Sequence, residues 1–201
     1  GEYNVAVGNN TLDALTSGDF NTAIGYISGS AITTGSNNTG IGNQSLEALT
    51  TGSDNTAGGS GGLNALTEGS NNAAFGRAAL GAVTTASDNT ALGRSAGLGI
   101  TTGTGNTTIG TSAASAGTMT GNNNVVIGKL AGEDMTSADA NVIIGEDAGK
   151  NQTTADNNIL IGQGAGEAIT TGGDNIFIGQ AAGDGHDAET NNLGIGRSAL
   201  G

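Results

Sequence analysis

Apolar and polar residues return along this chain in a frame of seventeen, and asparagine anchors the frame. Asn-Thr-Ala-Ile-Gly at 21–25 recurs as NVAVG at 4–8, NTALG at 89–93, NVVIG at 124–128, NVIIG at 141–145 and NILIG at 158–162. The anchors are Asn4, Asn21, Asn38, Asn55, Asn72, Asn89, Asn106, Asn124, Asn141, Asn158, Asn175 and Asn192. Every interval is 17 residues except the 18 between Asn106 and Asn124. A period this short and strict predicts a solenoid, in which each coil cannot bury its own apolar face and is stable only when stacked on its neighbours. The expected fold is an all-β parallel β-solenoid, a β-roll of about twelve coils forming one array over residues 1–201.

With Asn as position one, position five is glycine throughout: Gly8, Gly25, Gly42, Gly59, Gly76, Gly93, Gly110, Gly128, Gly145, Gly162, Gly179 and Gly196. That predicts a corner needing positive φ or close backbone approach. Position four holds Val7, Ile24, Ile41, Phe75 and Leu92, then Ile in every later copy, with Gly58 the one lapse, and reads as the main core column. Position eight is always small, from Thr11 and Ser28 to Ala182 and Ala199, and is expected to face a narrow interior. Leu15, Ile32, Leu49, Leu66, Val83, Ile100, Met135 and Ile169 form a second apolar column at position twelve. Turn chemistry follows, as in Thr33-Thr34-Gly35-Ser36-Asn37. Each coil therefore reads as a short strand, a glycine corner, a second short strand and a polar turn. The repeated Asn is expected to stack as a structural ladder of side-chain amides.

Strand alternation puts positions two and four on one face and position three on the other. Position three is never charged, and in four consecutive coils it is Val126, Ile143, Leu160 and Phe177. With position four turned inward, these four would form an exposed patch that soluble monomers avoid. They are the expected inter-chain face, and the strand is expected to be buried on both sides.

Composition narrows the function classes. The chain has 39 Gly, no Pro, no Cys and a formal net charge of -13. The phase-locked apolar pattern argues against disorder. Absent cysteine excludes a disulfide framework and thiolate metal sites. Five Lys and Arg against 18 acids make a nucleic-acid backbone a poor partner. No apolar run approaches a membrane span, so no direct membrane insertion is expected, and no signal-peptide pattern opens the chain. The chain opens and closes within a repeat and carries no polar cap, which suggests a window on a longer fibre. Arg77, Arg94, Lys129 and Arg197 fall at position six, while Lys150 shares position ten with Asp13, Glu47, Glu133, Glu167 and Asp184.

NTAIGxxSG at 21–29 followed by ITTGSNN at 32–38 resembles the repeats of YadA-type heads of trimeric autotransporter adhesins. It is more similar still to the NTAxGxxAL…TTGxxN arrays of bacteriophage tail-fibre-type proteins. The resemblance covers essentially the whole chain and is specific for architecture rather than for ligand. It implies left-handed coils and a homotrimer wound around one axis. The seventeen-residue unit is longer than the head unit of the adhesins, which leaves the coil cross-section open.

Candidate chemistry is thin. His186, in Gly183-Asp184-Gly185-His186-Asp187-Ala188-Glu189-Thr190, lies near Asp184, Asp187 and Glu189 and reads as a solvated loop residue rather than a catalytic or metal-ligating one. Gly172-Gly173-Asp174-Asn175 resembles a calcium-binding nonapeptide turn, but it occurs once and in the wrong period. The glycine corners open no helix, so a phosphate loop is excluded. Sequons such as Asn37-Asn38-Thr39 and Asn43-Gln44-Ser45 follow from Asn-rich turns. The expected function is structural and adhesive: a non-enzymatic, cofactor-free segment of an extracellular fibre on a cell surface or virion. Its expected partners are a host receptor, a glycan or matrix. Two alternatives are an ice-binding solenoid, motivated by pairs such as Thr33-Thr34, and a filament subunit stacking end to end. Adjacent strand residues point opposite ways, so such a Thr pair cannot lie on one face.

Overall fold

The corners and turns do more than the strands to set this backbone. The computed structural model describes residues 1–201 and contains twelve strands of three residues each. They are β1 (Val5–Val7), β2 (Thr22–Ile24), β3 (Thr39–Ile41), β4 (Thr56–Gly58), β5 (Ala73–Phe75) and β6 (Thr90–Leu92). The remainder are β7 (Thr107–Ile109), β8 (Val125–Ile127), β9 (Val142–Ile144), β10 (Ile159–Ile161), β11 (Ile176–Ile178) and β12 (Leu193–Ile195). All twelve form one parallel sheet in chain order, each pairing with the next position for position. The protein is an all-β parallel solenoid with eleven coils between its twelve strands.

Of 127 backbone hydrogen bonds, only 22 lie within the strands, so most rungs between coils come from corners and turns. Each position-thirteen amide donates to the next coil, as Thr33 does to Thr50 at 2.9 Å, and each position-seven amide donates back, as Gln44 does to Tyr26 at 2.9 Å. The second strand expected in each coil is absent. Only an isolated bridge between Ile100 and Met119 stands there, because the residues after the glycine corner turn repeatedly. Positions seven, nine and seventeen hold left-handed backbone in every coil, as at Gln44 (φ 56), Leu46 (φ 53) and Asn37 (φ 59). The bends at positions seven and nine break the path just after the corner, and positions ten to sixteen continue through turns and bends, so only positions two to four pair as a strand.

Glycine at the corner is enforced by stacking. Gly145 has φ +139, and a Cβ built on it would lie 2.3 Å from the carbonyl oxygen of Gly162 in the next coil. Backbone meets backbone there, and nothing flexible is available to move aside.

The core contradicts one expectation. Position three, not position four, points inward: Ala23, Ala57, Ala74, Ala91, Thr108, Val126, Ile143, Leu160 and Phe177 are at most 1% exposed. Position four points out, with Ile24, Ile41, Phe75 and Leu92 at 37%, 47%, 48% and 52% exposure. The anchor Asn is itself buried, so alternation along the strand sends position two out, three in and four out. Val126, Ile143, Leu160 and Phe177 are therefore core residues of their own coils and not an inter-chain face.

A column missing from the sequence reading completes the interior. Position nine faces inward, and in most coils its bulk is inverse to that of position three, whereas Ala23 with Gly29 and Ala91 with Gly97 are both small. Leu46, Leu63 and Leu80, all buried, accompany Gly40, Ala57 and Ala74. Gly132, Gly149, Gly166 and Gly183 accompany Val126, Ile143, Leu160 and Phe177. A Cβ on Gly183 would fall 2.2 Å from the Phe177 ring, so the two positions share one space. Position twelve fills the far end of the interior and includes Met119, which is fully buried. The extra residue of the 18-residue coil is taken up between Ala114 and Met119, where Ala116 and Thr118 are exposed.

Candidate interaction surface

The anchor asparagines spend their hydrogen bonds within the fold. Asn38 donates its backbone N–H to Asn21 Oδ1 at 3.0 Å and its Nδ2 to the same oxygen at 3.1 Å. Its Nδ2 also donates to the Gly52 carbonyl at 2.9 Å, in the turn that closes its own coil. The arrangement repeats at Asn55, Asn124 and Asn141. At Asn38, Asn55 and Asn124 the Oδ1 accepts two hydrogen bonds and the Nδ2 donates at least two, so these amides are spent within the fold, while Asn141 Oδ1 accepts one. Position thirteen is likewise committed: Thr33 Oγ1 donates to the Thr50 carbonyl at 3.1 Å and Thr50 Oγ1 to that of Thr67 at 2.9 Å.

What remains uncommitted is the outer face of the sheet. Positions two and four of the twelve strands carry no charged residue. From β8 to β11 the face is aliphatic throughout: Val125, Ile127, Val142, Ile144, Ile159, Ile161, Ile176 and Ile178, exposed or half-exposed. In β2, β3, β6 and β7 it pairs threonine with a branched aliphatic residue, as in Thr22 with Ile24 and Thr90 with Leu92, while β4 carries Thr56 with Gly58 and β5 Ala73 with Phe75. The parallel register aligns these residues in two straight columns about 4.8 Å apart per step. Single exposed apolar residues are ordinary, whereas a continuous aliphatic patch over four neighbouring strands, β8 to β11, marks an interaction site.

Exposed residues border this strip on both sides. Along one rim runs position seventeen, with Phe20, Asp54, Asp88 and Asp174; along the other runs position six, with Tyr26, Arg77, Arg94, Lys129 and Arg197. Tyr3 and Phe20 stack within the first rim, their ring centroids 5.0 Å apart. Lys129 Nζ binds Glu146 Oε1 at 2.9 Å, and this hydrogen bond, with the Glu146 charge, raises the lysine pKa above its ordinary value. Lys150 lies 3.4 Å from Asp147 and 3.9 Å from Glu133. Arg77, Arg94 and Arg197 make no ion pair within the chain.

His186 is not the solvated loop residue the sequence suggested. It occupies position twelve, and its ring lies 5.4 Å from that of Phe177 with Nδ1 buried and unpartnered. Nearby, Glu189 accepts the backbone N–H groups of Asp187 at 2.9 Å and Ala188 at 3.1 Å. Its own backbone N–H first, then those of Asp187 and Ala188, hold the Glu189 pKa below its ordinary value. No group of three or more His, Asp or Glu side chains is placed to hold a metal ion, and the surface has no pocket. No helix is long and apolar enough to cross a membrane.

No family model, curated protein or solved structure matches the chain.

Proposed function

We propose that this chain is a structural and adhesive segment of an extracellular fibre, as in an adhesin head or tail-fibre shaft. Its coils wind left-handed, and three copies associate around one axis through their outer strand faces. The observation that carries this reading is the uncharged apolar strip on positions two and four, aligned by the parallel register and open to solvent in a single chain. It takes over the role that the sequence had assigned to position three. Twelve strands at about 4.8 Å per step give a rod roughly 55 Å long, and length grows by adding coils. Such a rod spaces or presents a binding element, and its partners are a host receptor, a glycan or matrix.

Replacing outward Ile144 and Ile161 together by Lys tests the reading. Expected is loss of the trimer with the far-ultraviolet dichroism of the coils retained, since both side chains lie outside the core. A double variant that assembles like the parent would remove the strand face from the interface.

A second reading is favoured by one observation. Thr22, Thr39, Thr56, Thr90 and Thr107 point outward in register, so position two presents a column of hydroxyls, broken at Ala73, that the Thr pairs do not provide. Gly58 and Phe75 interrupt its flatness at position four. Thermal hysteresis of the purified protein decides between the readings: the fibre predicts none, and a clear freezing-point gap would replace it with ice binding.

A further inference from the structure

Position six sets one side chain above the next along the glycine corner, and in the later coils these neighbours answer each other. Lys129 Nζ meets Glu146 Oε1 at 2.9 Å, and Gln180 Nε2 donates to Gln163 Oε1 at 3.1 Å. Arg77 and Arg94 form the one step in this column at which two like charges adjoin. The backbone fixes that juxtaposition. The Ser95 N–H donates to the Arg77 carbonyl at 2.9 Å and that of Ser112 to the Arg94 carbonyl at 3.0 Å, so the two arginines sit a single coil apart, about 4.8 Å. Both side chains are exposed, neither pairs with an acid, and neither lies on an aromatic ring.

The charge of the surroundings is equally local. From Gly69 to Gly132 three bases, Arg77, Arg94 and Lys129, stand against the single acid Asp88, whereas the rest of the chain sets two bases against seventeen acids. Positions six, seven and ten carry no acid in the four coils that begin at Asn55, Asn72, Asn89 and Asn106. Hydroxyls take the place of acids there, with Ser95 and Ser112 half-buried beside the arginines. A guanidinium pair held so close repels itself and is offset by nothing in its own chain. An oxyanion gripped by both planar forks removes that repulsion and gains charge-assisted hydrogen bonds.

We infer that Arg77 and Arg94 form a subsite for one sulfate or carboxylate group of an acidic glycan, with the Ser95 and Ser112 hydroxyls as further donors. This rests on the adhesive reading above, for which it names a ligand class, and not on self-association. Charge density selects a glycan over a nucleic acid. A duplex carries one charge per about 1.7 Å of its axis and is repelled by the acidic coils before Gly69 and after Gly132, whereas a glycan bears its acids on spaced sugars.

Titration calorimetry of the purified protein tests the subsite with a heparin-derived tetrasaccharide, a galacturonate tetrasaccharide and neutral maltotetraose. At least one acidic probe should bind and maltotetraose should not; the acidic probe that binds tighter identifies sulfate or carboxylate as the group held. Arg77→Gln combined with Arg94→Gln should weaken that binding about tenfold or more. Arg197→Gln, which removes an unpaired arginine with no basic neighbour, should leave it unchanged. Dichroism is expected to match the parent in both, because all three side chains are exposed. A parent that binds neither acidic probe, an equal loss in Arg197→Gln, or tighter binding of a DNA oligonucleotide of the same charge overturns the subsite. Each of these leaves the fibre standing, since the fibre is tested by the assembly of the Ile144 and Ile161 variant.

Discussion

At the residue scale, two kinds of position tolerate no exchange, for different reasons. At the corner, the Cβ of Gly145→Ala would sit 2.3 Å from a carbonyl oxygen of the next coil, with φ at +139. We expect a loss of about 3 kcal/mol or more, read as a lower thermal midpoint, because neither strain nor clash can relax into a side chain. In the interior the constraint is on a sum of volumes. Phe177→Ala should cost about 3–5 kcal/mol through the cavity it leaves. Adding Gly183→Leu should recover a good part of it, since position nine accepts leucine in the left-handed region at Leu46, Leu63 and Leu80. Failure of the second substitution to recover stability would show that positions three and nine do not share one space.

At the element scale, the strand is held less by its own rungs than by the asparagine ahead of it. Asn141→Asp keeps the shape but removes the donor that meets Asn124 Oδ1 at 3.0 Å and Ala155 O at 2.9 Å, and sets a carboxylate against both oxygens. It should destabilise the array by about 2–3 kcal/mol at neutral pH, with faster amide exchange centred on β9, and a variant as protected as the parent would contradict the ladder's role. The turn around Glu189 has its own pH dependence. Its folded pKa is depressed, so its contribution is present above the unfolded value and is lost as pH falls through the folded one. Exchange of the Asp187 and Ala188 amides should quicken in that acid range and not on the alkaline side.

The period, the strand and the glycine corner were legible in the sequence because each depends on one residue type at one place. Which side of the strand faces in was not. The larger residues at position four suggested the core, whereas the interior is already filled by positions three, eight, nine and twelve. The deciding signal was the asparagine: a polar side chain that must be buried to form a ladder sets the parity of the residues after it. Position nine was missed because its leucines and glycines look unpatterned until they are read against position three. His186 was misplaced because the acids around it suggested a loop, although its count from Asn175 puts it at position twelve.

At the scale of the molecule, one chain satisfies its backbone and its core but leaves a straight apolar strip uncovered along the sheet. The most direct measurement is the solution mass of the purified protein by light scattering over a wide dilution series. Three times the 19.2 kDa chain mass, held on dilution, is the predicted result. A mass of one chain at every concentration would contradict the account and leave the strip as a face for a different partner.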